Sequence, residues 1–301
     1  MPRRDRVRVK VGSTELELSN LDKLLYPDFT KAEVIDYYTR IAPVLLPHLA
    51  DRPLTRIRYP DGLYGQHFFE KNKPNHTPKW VRTVTLPSPG SSQGRDTIDY
   101  VVADDLPTLV WLANLASLEL HTPQWTVGPR GGVKDPDRLV FDLDPGAPAA
   151  LPECLVVALW LRERLADDGL EAYPKTSGKK GMQLVCPVAA RQDDRVISGY
   201  AKRLAEELER EQPKRIVSKM AKNLRRGKVF IDWSQNNAAK TTVAPYSLRA
   251  GPEPTVSTPL TWDEVAAGGR PRFSPADVLD RVDEYGDLMA GVCRPGPKVP
   301  T

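Results

Sequence analysis

The sequence predicts an α+β fold, and three observations carry that expectation. Short apolar segments alternating at period two, bounded by Pro, Gly and Asp, recur along the chain. A few longer segments repeat apolar residues at helical spacing behind Thr or Asp caps. No internal repeat and no confident linker separates the two kinds of segment. The simplest packing is therefore curved, mostly antiparallel sheets flanked by helices.

The elements follow in order. VRVKV and TELEL flank Gly12-Ser13 and read as a hairpin capping one sheet edge. After Thr30 as N-cap, Val34, Tyr37, Tyr38, Ile41, Val44 and Leu45 recur at helical spacing until Pro47, and Asp105 caps a second helix over LPTLVWLANLASL. Between them LTRIRYP, HFFEK, KWVRTVTL and TIDYVVA read as strands. RLVFDLDPG is an apolar strand ending in a Pro-Gly turn, followed by a helix over Ala149–Leu165. AYPKTS, GMQLVCPV and GKVFIDWS are further strands, and Asp193–Arg210 is a long helix. A helix from Trp262, another over Pro275–Met289 and a frayed RPGPKVPT end complete the chain.

Composition excludes several classes. The chain has 301 residues, 40% hydrophobic and 27% charged, and no stretch approaches the ~20 apolar residues of a membrane-spanning helix. Charges in MPRRDRVRVKVG occupy the place of a signal peptide's apolar core, so the chain is expected inside the cell. Cys154, Cys186 and Cys293 lie far apart with no CxxC, against a disulfide framework or closed zinc site. The 29 prolines are scattered among turns, so they indicate no disordered linker. A net charge of +4 is too small to imply a polyanionic partner by itself, but Lys214–Lys228 carries seven basic residues and no acidic one. That run suits phosphates; a solvated helix face is the alternative.

The chemistry concentrates in a few places. Asp142 and Asp144 stand at i and i+2, so a strand puts both carboxylates on one face. A shared divalent cation relieves their repulsion, and hard oxygen ligands suit Mg²⁺ or Mn²⁺; solvated turn caps are the alternative. Asp232 ends another apolar strand and precedes Ser234, Gln235 and Asn236. Three such aspartates suit two metals about 3.5–4 Å apart, the arrangement of two-metal phosphoryl transfer. Thr176-Ser-Gly-Lys-Lys-Gly181 joins two strands with the groups of a phosphate-cradling turn, yet it lacks the Walker order, and an ordinary basic hairpin turn remains open. Alternation puts Gln183 on the face of Gly181. Lys240 and Arg249 bracket KTTVAPYSLR, and His121 ends a strand in LELHTPQW, where a structural histidine is the usual finding.

Taken together, HTPQW, RLVFDLDPG, TSGKKG, KVFIDWSQNN and KTTVAPYSLR resemble, in order, the archaeo-eukaryotic primase superfamily, specifically the polymerase domain of bacterial DNA ligase D type. The match runs from LSNLDKLLYP to the C-terminal helices. The resemblance implies a primase-polymerase core of two packed α/β lobes. It would form a single domain over 1–301, with an N-terminal lobe to about 135, a catalytic lobe over about 136–255 and C-terminal helices over about 256–301. It implies a DNA-dependent nucleotidyltransferase extending or filling short gaps at DNA breaks, using Mn²⁺ or Mg²⁺ and favouring ribonucleotides among NTPs and dNTPs. Asp142, Asp144 and Asp232 would be the catalytic metal ligands. His121, Ser177, Lys180, Gly181 and Arg249 would surround the nucleotide, with Gln183, Gln235 and Lys240 beside them. Lys23 and Lys31 would receive a downstream 5′-phosphate, Arg58 would touch DNA, and Phe68 and Phe69 would stack on the template.

Two positions depart from the family pattern: Gln183 replaces a frequent histidine, and Ile57 a lysine. With no ligase or nuclease segment in the chain, the expectation is a stand-alone monomer in the bacterial cytoplasm, associated with the nucleoid. A DNA ligase and a Ku-like end-binding protein are its expected partners. The alternatives are a primer-synthesising primase and a catalytically silent DNA-end-binding module that recruits a ligase. A glycosidase is excluded, because carboxylates adjacent on one strand cannot flank a glycosidic bond from opposite faces.

Overall fold

The computed structural model describes residues 6–88, 96–270 and 272–301. Two sheets organise the chain. The larger has five strands in the order Tyr173–Thr176, Met182–Pro187, Arg138–Pro145, Val229–Asp232 and Ile216–Val217. All its pairs are antiparallel except the last, which is parallel. The smaller is wholly antiparallel, in the order Thr242–Val243, Ser117–Thr122, Thr55–Arg58 and Phe68–Glu70. Thr242–Val243 returns from late in the chain to pair with Ser117–Thr122, so the smaller sheet draws its strands from well-separated parts of the sequence.

Helix α1 (Lys31–Leu49) begins with Thr30 and Glu33 in a capping box, and its Val34, Tyr37, Tyr38, Ile41 and Leu45 form the buried stripe expected from the spacing. It continues two residues past Pro47 instead of stopping there. Helix α2 (Leu106–Asn114) starts at the Asp105 cap but ends before SL, where Ala116 turns to φ 57°. Helices α3 (Leu151–Asp167) and α4 (Asp194–Glu211) bury Leu155, Leu161 and Leu165, and Ile197, Leu204 and Leu208, in the same core cluster as Leu139, Phe141 and Leu143 of the central strand. Burial of each such side chain is worth ~1.5–3 kcal/mol. Alternation then sends Val140, Asp142 and Asp144 to the opposite face.

Three expectations are corrected here. The Arg6–Val11 and Thr14–Ser19 hairpin caps neither sheet; it pairs only with itself and inserts Leu16 and Leu18 into the core. Lys214–Lys228 is not a helix face: it runs through the short strand Ile216–Val217 and a single 3₁₀ turn, Lys222–Leu224. Two of its cations have partners within the chain, Arg225 stacking 3.6 Å from the Phe230 ring centre and Lys228 donating to the Pro213 carbonyl at the surface.

The C-terminus is not frayed. Helix α5 (Trp262–Ala266) is brief, and α6 (Pro275–Tyr285) stops short of Met289 at Gly286, φ 68°. Met289 and Val292 then pack on Val140 and Val185. Ala189 N–H donates to the Pro297 carbonyl, and Val299, 2% exposed, is clamped by Gln192. Asp287 accepts from Tyr246 and pairs with the buried His48, tying this end to α1. No helix among the described residues is long and apolar enough to cross a membrane.

Candidate active site

A polar row crosses the larger sheet. Cross-strand partners are Lys175 with Gln183, Gln183 with Asp142, and Asp142 with Asp232, so four neighbouring strands present these side chains on one face. Asp144 follows on that face. Gln183 Nε2 donates to Asp142 Oδ1 at 3.0 Å. Asp232 is held by Ser234, whose N–H and hydroxyl donate at 3.0 and 2.6 Å, and by Gln235 Nε2 at 2.9 Å.

The turn after Thr176 folds over this row. Ser177 Oγ accepts from the N–H groups of Lys179 and Gly181, each at 3.2 Å, leaving its own proton to donate. The turn lies so close to the central strand that a Cβ on Gly181 would stand 2.0 Å from the Leu143 carbonyl oxygen. Gly178, at φ 71°, likewise clears room for Arg249, whose Cγ a Cβ would approach to 2.5 Å.

The result is a cleft of about 400 Å³ lined by Asp142, Asp144, Gln183 and Gln235, by Ser177, Lys179, Lys180 and Gly181 of the turn, and by His121 and Arg249. Residues from both sheets meet there. Nine of the residues expected from the sequence therefore share one cavity, with Asp232 in the row beneath. Lys240 is exposed and does not line it, although the adjacent Thr241 and Thr242 do.

The carboxylates share a face without converging on a point. Among the described residues, no three His, Cys, Asp or Glu side chains gather as a metal-holding group. Local hydrogen bonds explain this, since Asp232 has both oxygens engaged by its own turn. The donor set nonetheless suits a divalent cation. Burial, then Asp144, push the Asp142 carboxyl up to about 7, and burial and Asp232 raise Asp144. A cation bound between such groups would relieve both repulsions.

Two buried charges escaped the sequence reading. Glu119, 1% exposed, accepts from His121 Nε2 at 3.0 Å and from the Ala250 N–H at 2.9 Å, and pairs with Lys179 and Arg249 at 3.1 Å each. Burial alone would raise its carboxyl, but His121, Arg249 and Lys179 outweigh that and hold it down at about 2. Burial lowers His121 despite Glu119. Lys175, 1% exposed, donates to Ser257 Oγ at 2.6 Å, and burial, then Arg249, push it down to about 7. The alternation of Glu119 and His121 at i, i+2 with Leu118 and Leu120 was the available signal for the first; Lys175 left none.

The residues expected to contact DNA lie elsewhere. Lys31 is buried, donating to the Ser19 carbonyl at 2.5 Å, and burial followed by the charges of Lys23 and Arg58 lowers it to about 8. Those three cations are thus neighbours. Lys23 also bonds Asp61 at 2.7 Å, and Arg58 bonds Glu70 at 2.8 Å. Phe68 and Phe69 are both exposed on the edge strand, but as successive strand residues they point to opposite faces and do not form one stacking surface.

Comparison with known proteins gives this geometry its class. The model of the LigD primase-polymerase domain matches residues 30–289. The polymerase domain of Mycobacterium tuberculosis ligase D, solved in complex with DNA, superposes with a TM-score of 0.88 at 40% identity, covering 94% of this chain and 99% of that one. The fold is that of a LigD-type primase-polymerase domain. The chain belongs to the LigD primase-polymerase family. It is 45% identical over 278 residues to the multifunctional non-homologous end joining protein LigD of Mycolicibacterium smegmatis, covering 91% of this chain and 36% of that protein. It is 33% identical to the bifunctional LigD of Bacillus subtilis, covering 90% and 43%. The chain thus spans well under half the length of these relatives.

Proposed function

We propose that this chain is a DNA-dependent nucleotidyltransferase that extends or fills short gaps at DNA breaks during end joining. The observation that carries the reading is the single cleft in which carboxylates of the larger sheet face the Ser177–Gly181 turn and Arg249. One wall suits cations and the other suits a triphosphate.

Lys180, Arg249, Ser177 and the turn's backbone hold the nucleotide phosphates, and the close approach of Gly181 to Leu143 sets them against the carboxylates. Asp142, Asp144 and Asp232 would hold Mg²⁺ or Mn²⁺ as a two-metal site. Divalent ions bound there would supply charge neutralisation for phosphoryl transfer. Gln183 and Gln235 orient Asp142 and Asp232. Lys23, Lys31 and Arg58 receive the 5′-phosphate of a gap, and Phe68 or Phe69 stacks on a template base. NTPs are favoured over dNTPs, the chain works as a monomer in the bacterial cytoplasm beside the nucleoid, and a ligase and a Ku-like end-binder are its partners.

The test offers labelled ribo- and deoxynucleotides to primed, gapped and blunt-ended DNA with Mg²⁺ or Mn²⁺. Template-directed incorporation at gaps is expected. Tight end binding without incorporation would leave a silent binding module, and product formed without a primer would make it a primase.

A further inference from the structure

Of the cleft's charged groups, one touches no open solvent and yet organises the others. Glu119 does not itself line the cleft, but four donors surround its two oxygens: His121 Nε2 and Arg249 Nη1 on Oε2, and Lys179 Nζ and the Ala250 N–H on Oε1, the three side chains being cleft-lining. As an ionised carboxylate it can only accept. A neutral imidazole facing it must therefore carry its proton on Nε2, which leaves Nδ1 as a lone-pair acceptor on a residue lining the cleft. Lys179 and Arg249 are held apart on opposite oxygens of the same carboxylate, which offsets the repulsion between two cations in a confined site. Arg249 also keeps an unpartnered, buried Nε, so its donor capacity is not used up within the protein.

We propose that Glu119 is a positioning residue of the nucleotide cleft: it fixes the tautomer of His121 and aims Lys179 and Arg249 before the nucleotide arrives. This rests on the polymerase reading above. Glu119 acts through its three partners and makes no contact with the reacting atoms. Removing its charge frees the imidazole to present either nitrogen and lets the two cations separate or seek solvent. The loss falls on nucleotide binding, because the carboxylates that hold the metals lie on the other sheet.

Two measurements on the full chain test this. Long-range ¹⁵N–¹H correlation spectra of protein labelled on its four histidines, with His121→Gln used for assignment, read the tautomer directly. Protonated Nε2 and bare Nδ1 at His121 are expected in the unmutated chain, and a proton on Nδ1 overturns the proposal without needing any Glu119 variant. Steady-state titration of Glu119→Gln is expected to raise the nucleotide KM about tenfold while kcat stays within about threefold, the signature of lost charge-assisted ground-state contacts. An unchanged KM, or a loss confined to kcat, sinks it. Failure of the unmutated chain to incorporate any nucleotide would defeat the polymerase reading instead, and the spectrum would still decide the tautomer.

Discussion

Gln183 donates through Nε2 to Asp142 Oδ1 at 3.0 Å, while its own Oε1 lies buried without a partner. Gln183, one of two positions expected to depart from the family pattern, thus touches Asp142 of the paired aspartates rather than reaching freely toward the Ser177–Gly181 turn.

Replacing Gln183 by Leu is expected to lower kcat/KM for nucleotide incorporation about tenfold, since a hydrogen bond to a charged group is worth ~1.5–3 kcal/mol. The melting temperature should hardly change, because Leu also removes the unpaired amide oxygen. Steady-state kinetics beside a thermal melt check both halves.

Asp142→Asn should abolish incorporation, keep DNA binding, and stabilise the metal-free protein above neutral pH. The sign follows from the folded carboxyl being raised to about 7, above the ordinary value. The wild-type contribution is greatest in acid and is lost as pH rises toward 7, so the variant's advantage grows over that window. A gain of roughly 3 °C or more at pH 8 in EDTA, shrinking toward pH 4, is expected for ~1 kcal/mol in a domain of this size. Equal melting temperatures at pH 8 would contradict it.

Preference for a 5′-phosphate over a 5′-hydroxyl at gapped DNA should weaken as pH rises from 7 to about 9.5. Lys31 is lowered to about 8, so it sheds its charge within that range, whereas an unperturbed lysine would not. Binding titrations with both gap types measure the effect, and Lys31→Arg should flatten it.

Gly178→Ala places a Cβ 2.5 Å from Arg249 Cγ and 2.9 Å from the Val256 oxygen, at a φ that L residues avoid. A raised nucleotide KM together with a stability loss of ~1 kcal/mol or more is expected from kinetics and denaturant titration.

Val299→Ala is expected to cost about 2 kcal/mol, the worth of the two buried methyl groups it removes plus the space they leave, although only Pro300 and Thr301 follow it. Denaturation at constant m-value reads it out.

The elements and the paired aspartates were legible because each is a local pattern: alternation in RLVFDLDPG, a cap before a helical stripe, glycines in TSGKKG. What escaped depends on neighbours distant in sequence. That Asp232 stands opposite Asp142 follows from strand order, which no single segment encodes. Glu119 looks like a lapse in an apolar strand until Arg249, 130 positions later, is seen beside it. The tail reads as frayed from its prolines and glycines, yet Gly296 is what lets the backbone press against Pro187, with a Cβ only 2.0 Å from that carbonyl.

The return of Thr242–Val243 to the smaller sheet makes the catalytic chamber indivisible. One wall is completed by a strand that arrives only after the chain has built the other, so a fragment ending near residue 236 would lack an edge strand and four of the chamber's lining positions, Thr241, Thr242, Val243 and Arg249. Split there, each piece would carry an unpaired strand edge beside the cleft, Ser117–Thr122 on one and Thr242–Val243 on the other.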